Sequence, residues 1–196
     1  MEELNNMFNN MSIAYSNMDV SDEVKEINNN YLFDVYNSIQ EIKIDNDSDM
    51  KHLHIIAKKG YYDICKNYII GNNVNIRTTN TNRIPLHYAC MNNHVRIAEL
   101  LIDNHTEINV QDIYGFYPIN YAVMNNCLEM VNLLICCGSV IESSLYYAVN
   151  YRLYDIVKEI LEYHIEYIFL ENASYYAYNI NDTYLIELIN KYINKH

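Results

Sequence analysis

One segment of the chain recurs at an interval of 33 residues, and this recurrence restricts the possible folds more than any other feature. The stretch IPLHYACMNNHVRIAELLIDN occupies residues 84–104, and the similar stretch YPINYAVMNNCLEMVNLLICC begins at residue 117. The interval from Pro85 to Pro118 is 33 residues. Repeats of this length build solenoids, in which each unit buries its apolar face against its neighbours.

Each copy of the repeat predicts two short helices joined by a turn. Pro85 and Pro118 suit the first helical position, where a missing N–H costs no hydrogen bond. Asn93 and Asn126 follow the first helix, and asparagine tolerates the left-handed conformation that this turn requires. Helices this short are unstable alone in water, so they must stack on neighbouring units. The second helices supply apolar residues for that stack: Ile97, Leu100, Leu101, Met130, Leu133 and Leu134.

Three further segments follow the pattern more weakly. Residues 51–76 keep Leu53 and His54 but lack the proline. Residues 144–163 align without a gap to residues 173–192. The last segment has lost the core leucine, as expected of a terminal unit that caps a stack. We therefore expect four to five units.

The motifs of the clearest unit identify a family resemblance. PLHYA, followed by NNHVRIAELLIDNHTEINVQD, resembles the ankyrin repeat, whose pattern is T-P-L-H-x-A-A, then G-H, V-x-L-L-L and D-x-N. The stretch DIYG at residues 112–115 resembles the D-x-x-G turn that opens the next unit. The resemblance implies an all-α ankyrin-repeat solenoid over residues 49–196, with β-turn tips between units. The family histidine is kept at His54 and His87 and replaced at Asn120, Tyr146 and Tyr175.

The first part of the chain differs in composition from the repeats. Residues 1–50 hold 11 acidic and 2 basic residues. We expect residues 1–20 to be a disordered acidic arm, because they are polar and lack a hydrophobic period. Apolar residues three or four apart in residues 21–48 predict a helical cap or degenerate repeat. The alternative is that this acidic segment binds a partner or folds over the groove.

The charge balance argues against two classes of partner. The formal net charge is −12 at pH 7, so we predict no nucleic-acid partner and no membrane partner. The opening residues lack the basic start and apolar stretch of a signal peptide. The chain has 5 cysteines, an odd number that is typical of reduced thiols. These features predict a cytoplasmic protein.

The sequence offers little catalytic chemistry. Its 4 glycines form no phosphate-binding loop, and no nucleophile-elbow or zinc-helix motif is present. Cys136 and Cys137 lack the spacing of a metal site. His54 and His87 have a structural explanation, because the family uses that position to tie down its turn. We predict a non-enzyme with no cofactor, no metal and no small-molecule substrate.

The resemblance also implies where a partner binds. An ankyrin stack presents a concave groove, formed by the turn tips and the exposed side of each first helix. Apolar residues at a tip require an explanation, since such turns usually carry polar residues. The predicted partner-binding residues are Ile113, Tyr114 and Phe116 at the tip, and Tyr88, Met91, Asn92, Tyr121, Met124, Asn125, Tyr147 and Tyr151 along the first helices.

Tyrosine recurs directly after the histidine position. The four tyrosines of this ladder are Tyr88, Tyr121, Tyr147 and Tyr176. One interpretation is that they pack helix against helix along the stack. The other is that they line the groove and contact the partner.

The residue bias narrows the functional hypothesis. The excess of Asn, Ile and Tyr, together with degenerate repeats such as SLYYAV, is similar to that of short poxvirus proteins made only of ankyrin repeats. That resemblance implies a host-range factor or an inhibitor of innate immunity, including the NF-κB pathway. Its partner would be a host signalling or restriction protein in the host cytoplasm. The alternative is an ankyrin scaffold that binds a protein of its own organism.

Overall fold

The computed structural model describes residues 50–163 and 165–194 of the 196-residue chain. The predicted acidic arm (1–20) and helical cap (21–48) lie outside the described residues. The account that follows therefore concerns the repeats.

Ten helices and no strands are present in the described residues. They form five consecutive pairs, which we call units 1 to 5. The helices are α1 His52–Lys59, α2 Tyr62–Tyr68, α3 Pro85–Met91, α4 Val95–Asp103, α5 Pro118–Met124, α6 Leu128–Cys136, α7 Glu142–Asn150, α8 Tyr154–Leu161, α9 Tyr167–Asn179 and α10 Thr183–Ile193.

The units stack into two layers of helices. Each first helix packs on the first helix of the next unit, and each second helix does the same in the other layer. Leu53, Leu86, Ile119 and Leu145 occupy one position of successive first helices, and each is fully buried. Ser174 takes this position in unit 5, where the core leucine is lost as predicted. The described residues thus form an all-α solenoid of stacked helix pairs, the architecture that the ankyrin resemblance implies.

Left-handed residues join the two helices of each unit. Asn93 and Asn126 both have φ of 55°, which confirms their predicted role. Gly60, Arg152 and Asn181 adopt the same conformation in the other three units. Arginine is the unexpected member of this series, since it lacks the short polar side chain that makes asparagine suitable there.

The loops between units differ along the stack. Residues 72–84 and 105–117 form two projecting hairpin loops, which we call finger 1 and finger 2. Backbone bonds close them, from Thr78 N to Arg83 O at 2.9 Å and from Asp112 N to Phe116 O at 3.0 Å. The later connections, residues 137–141 and 162–166, are too short for a finger. The predicted turn tips therefore occur only at the first two of these four connections.

Substituting Gly60 tests how tightly the turn of unit 1 is packed. Gly60 has φ of +80°, and a Cβ there would lie 2.6 Å from Cε1 of His94. His94 Nε2 donates to Lys58 O at 3.2 Å, so moving this ring disturbs a bond between units. We expect Gly60→Ala to lower the free energy of unfolding by about 2 kcal/mol, half from backbone strain and half from crowding. Urea denaturation followed by circular dichroism measures it.

Gly71 provides the matched control for this substitution. It has φ of +76°, but a Cβ there meets nothing within 4 Å. Gly71→Ala should therefore cost only about 1 kcal/mol, from the left-handed backbone alone. If Gly60→Ala and Gly71→Ala lower the free energy of unfolding equally, the His94 ring moves aside without an energetic cost.

Candidate protein-interaction surface

The two fingers are linked along the edge of the stack. Ile113 N donates to Thr81 O at 3.0 Å. The side-chain amide of Asn82 donates to Gln111 O at 2.8 Å. A salt bridge of 2.8 Å joins Arg77 to Glu107. Finger 2 is therefore held by finger 1 as well as by the helices beneath it.

A charged cluster fixes the base of finger 2. Arg83 Nε donates to Asp112 Oδ2 at 3.0 Å, and Arg83 Nη2 donates to the Tyr121 hydroxyl at 2.8 Å. That hydroxyl donates in turn to Asp112 Oδ2 at 2.5 Å. The other carboxylate oxygen, Oδ1, accepts the backbone N–H groups of Tyr114 and Phe116. Every oxygen of this buried carboxylate thus has a donor, as buried charges require.

Both members of the ion pair keep their charge. Burial opposes ionisation of Asp112, but hydrogen bonds from Tyr121, the Phe116 N–H and Arg83 outweigh it and lower the carboxyl pKa. Burial likewise opposes the charge of Arg83, whereas its bonds to Tyr121 and Asp112 raise the guanidinium pKa. The Asp112 side chain is 0% exposed, so the pair is protected from screening by water.

The predicted tip residues separate into two groups. Ile113 is 59% exposed and Tyr114 is 62% exposed, as expected for residues that meet a partner. Phe116 is half-buried and turns toward the first helices, where it packs edge-on against Tyr121 and Tyr147 at 5.6 and 5.5 Å between ring centroids. Ile113 and Tyr114 therefore form the accessible tip, and Phe116 supports it.

The tyrosine ladder packs along the stack. Tyr88 contacts His54 edge-on, with ring centroids 5.5 Å apart, and Tyr121 contacts His87 at 6.1 Å. Tyr88, one of the predicted partner-binding residues, is only 2% exposed, so its ring packs within the stack and is not accessible on this surface. Tyr121 and Tyr147 are half-buried, so part of each side chain remains accessible.

The ends of the first helices present mixed surface. Met91 and Met124 are half-buried, while Asn92 and Asn125 are exposed. The Asn92 amide donates to Tyr88 O at 2.8 Å, which closes its own helix. The Asn125 amide donates to Met91 O at 2.7 Å and so joins unit 3 to unit 2.

Tyr151 completes the predicted set of first-helix residues. It stands just beyond the end of α7 and is 57% exposed. Its large side chain is therefore available on the surface of unit 4. Tyr147 also lies on unit 4, within α7, and the remaining predicted residues lie on units 2 and 3 or in finger 2. The set therefore spans three consecutive units.

The charged cluster was not found from the sequence. Asp112 stood out only as a turn residue, and Arg83 carried no signal of its own. The two residues are 29 positions apart, and only the stacking of adjacent fingers brings them together. An available clue was their place in the pattern, since Arg83 lies two residues before the helix start at Pro85 and Asp112 opens the next turn.

The described residues show no prepared catalytic group. Burial raises the pKa of the Cys65 thiol to about 12, so it stays protonated and unreactive. No group of three metal-ligating side chains lies together in residues 50–163 and 165–194. Over the same ranges, no helix has the length and apolar character needed to cross a bilayer.

Comparison with known families agrees with this architecture. Residues 53–144 match the family model for ankyrin repeats, in three copies. The match shows ankyrin repeats over residues 53–144, and the five stacked helix pairs continue the same solenoid architecture beyond them. Ankyrin repeats are non-enzymatic modules for binding other proteins. No curated protein matches the chain. Units 4 and 5 lie almost wholly beyond the family match, in the part of the stack that lacks fingers.

Proposed function

We propose that the tip of finger 2 is the main contact with a partner protein. The observation that supports this is an exposed pair of large apolar side chains, Ile113 and Tyr114, on a turn held by a buried ion pair. The Arg83 guanidinium carbon also lies 5.6 Å from the centroid of the Tyr114 ring, which restrains that ring. A tip that is already ordered loses little entropy on binding, so more of its contact energy appears as affinity.

We further propose that the partner is a host protein sequestered by a viral ankyrin protein. The support is the resemblance of the residue bias and degenerate repeats to short poxvirus proteins. On this proposal the partner is a signalling or restriction factor of innate immunity, met in the cytoplasm of the host cell. A partner encoded by the same organism would instead make the protein a scaffold.

The test is affinity capture from mammalian cytosol with wild type and the tip variant Ile113→Ala/Tyr114→Ala. We expect wild type to retain a host protein that the variant loses, with purified partner binding weakened about 30-fold or more, or ~2 kcal/mol. Circular dichroism must show that both proteins are folded. Isothermal titration calorimetry then gives the two affinities.

The matched control is Ile70→Ala/Tyr178→Ala, which removes the same side chains from two other exposed sites. Ile70 is 75% exposed and Tyr178 is 72% exposed, and neither belongs to finger 2. This control should retain the partner. If the tip variant retains it equally well, the binding surface lies elsewhere. If capture succeeds only from the organism that encodes the chain, the scaffold function replaces sequestration.

A further inference from the structure

In units 2 and 3, the residue four places before the family histidine position contacts the ladder tyrosine of the next unit. In unit 2 this residue is Arg83, whose guanidinium carbon lies 5.3 Å from the ring centroid of Tyr121 in unit 3. In unit 3 it is Phe116, which packs 5.5 Å from Tyr147 in unit 4. The guanidinium of Arg83 therefore packs against Tyr121, and the aromatic ring of Phe116 packs against Tyr147.

Unit 4 breaks this pattern. The corresponding residue is Glu142, the first residue of α7, and the next tyrosine is Tyr176 of α9. Instead of a filled contact, there is an open recess of about 340 Å³ between the two helices. The chain between α8 and α9 spans only residues 162–166, whereas finger 2 spans residues 105–117. The main lining residues of the recess are Glu142, Ser143, Tyr146, Tyr147, Phe169 and Tyr176.

One oxygen of the carboxylate in this recess lacks a hydrogen-bond donor among the described residues. Glu142 Oε2 is buried and forms no hydrogen bond to any atom of residues 50–163 or 165–194. A buried carboxylate oxygen without a donor is costly, and a cation relieves that cost. In the described part of the chain, no lysine or arginine lines the recess, and the two basic residues of unit 4 bond elsewhere: Arg152 donates to Ile180 O and Lys158 to Asp155.

The surroundings of the recess are acidic and aromatic. Residues 118–194 hold 9 acidic and 3 basic residues, so the field there favours a positive ligand. The Tyr146 and Tyr176 rings meet edge-on at 4.5 Å between centroids. Tyrosine rings attract cations through their faces, and arginine does this while also forming two parallel bonds to a carboxylate.

We propose that this recess binds an arginine side chain of a partner protein. Arg83 provides the template within the same molecule, because its guanidinium lies against Tyr121 and bonds to the carboxylate of Asp112. In the recess, Glu142 takes the role of the carboxylate and the tyrosines take the role of the ring. The inference rests on the proposed function only in that a partner protein supplies the arginine.

A small-molecule titration tests the recess without any partner. N-acetyl-arginine amide is added to protein labelled with ¹³C on its tyrosine rings, and the ring signals are followed by NMR. We expect saturable shifts at Tyr146, Tyr147 and Tyr176, with the signals assigned by single Tyr→Phe variants. N-acetyl-citrulline amide has the same shape without the charge and should cause no saturable shift. N-acetyl-lysine amide should bind at least fivefold more weakly than the arginine probe.

Two variants place the effect on Glu142. Glu142→Gln keeps the shape of the side chain and removes its charge. The variant should melt at no lower temperature than wild type. It should bind the arginine probe at least tenfold more weakly. Glu129→Gln removes a charge from an exposed site and should bind it as wild type does. The proposal is overturned if Glu142→Gln binds equally well, or if citrulline or lysine binds as tightly as arginine.

The same variants separate this proposal from the proposed function. Capture of the partner is repeated with Glu142→Gln beside the tip variant Ile113→Ala/Tyr114→Ala. If the tip variant retains every partner while the arginine probe still needs Glu142, the recess is a binding site and the tip is not. If the probe titration fails while the tip variant loses its partner, the proposed function stands and the arginine site does not.

Discussion

Replacing Asp112 with alanine should destabilise the protein by about 3–5 kcal/mol, the cost of removing one member of a buried ion pair. The substitution leaves the Arg83 guanidinium without its carboxylate, and the Arg83 side chain is only 15% exposed. It also removes the acceptor of the Tyr121 hydroxyl and of two backbone N–H groups in finger 2. Urea denaturation followed by circular dichroism measures the loss.

The salt bridge between Arg77 and Glu107 is the matched control. It also joins finger 1 to finger 2, and its distance of 2.8 Å is no longer than that of the buried pair. Its side chains are 42% and 55% exposed, so water screens the attraction. Glu107→Ala should cost less than about 1 kcal/mol. If Asp112→Ala and Glu107→Ala lower the free energy of unfolding by similar amounts, burial of Asp112 does not strengthen its contacts.

The substitution Asp112→Ala should also weaken partner binding. Asp112 does not lie on the exposed tip, but its Oδ1 holds the backbone of Tyr114 and Phe116 in place. A finger without this restraint has to become ordered on binding, which lowers affinity even though the tip side chains are unchanged. The proposed function therefore depends on a buried residue that no partner touches.

The helix pairs are predictable from the sequence because each of their determinants is local. Proline marks the start of the first helix in units 2 and 3, and Asn93 and Asn126 mark the turn that follows it. The apolar positions repeat with the helical period, so the buried face of each helix follows directly. The order of stacking then follows from the repeat itself, since like units pack on like units.

The loss of fingers was also present in the sequence, although it was not recognised. The interval between histidine positions is 33 residues from His87 to Asn120, but 26 from Asn120 to Tyr146 and 29 from Tyr146 to Tyr175. Since the helices keep their lengths or grow, the missing residues have to come from the connections. The recess at Glu142 is a direct consequence of this shortening.

The interior of the groove was harder to predict. A tyrosine has the same sequence context whether its ring lies in the groove or between units, so Tyr88 could not be distinguished from Tyr121. His54 packs edge-on against Tyr88, and His87 packs edge-on against Tyr121, yet Tyr88 is 2% exposed and Tyr121 is only half-buried. Contacts of this kind join residues about one repeat apart, and no local pattern encodes them.

Histidine at the first-helix position is explained by the fingers. His87 Nδ1 accepts the Ile84 N–H at 3.2 Å, and its Nε2 donates to Phe116 O in finger 2 at 3.3 Å. Asn120 replaces it in unit 3, where no finger follows, and its amide donates instead to the Ser143 and Ser144 hydroxyls. The family histidine is therefore kept at His54 and His87, which are followed by a finger carbonyl.

This arrangement predicts that the protein loses stability as the pH falls from about 6.5 to about 4. Burial lowers the pKa of His87 to about 4, whereas an unfolded histidine has a pKa near ~6.5. Above pH ~6.5 the ring is neutral in both states and contributes no pH dependence. Between the two values only the unfolded chain binds the proton, so the free energy of unfolding falls by ~3 kcal/mol in total. Urea denaturation at a series of pH values measures this slope.

The variant His87→Asn isolates the contribution of this one ring. Asparagine occupies the same position in unit 3, where Asn120 Oδ1 accepts the Tyr117 N–H at 2.8 Å as His87 Nδ1 accepts that of Ile84. The variant should therefore fold and be less stable at pH 7. Its free energy of unfolding should fall by ~3 kcal/mol less than that of wild type between pH 6.5 and 4. Asp112 does not confuse the result, because its lowered pKa removes stability only as the pH falls below about 4. An unchanged pH dependence would show that the folded protein accommodates a protonated His87, and that burial does not keep the ring neutral.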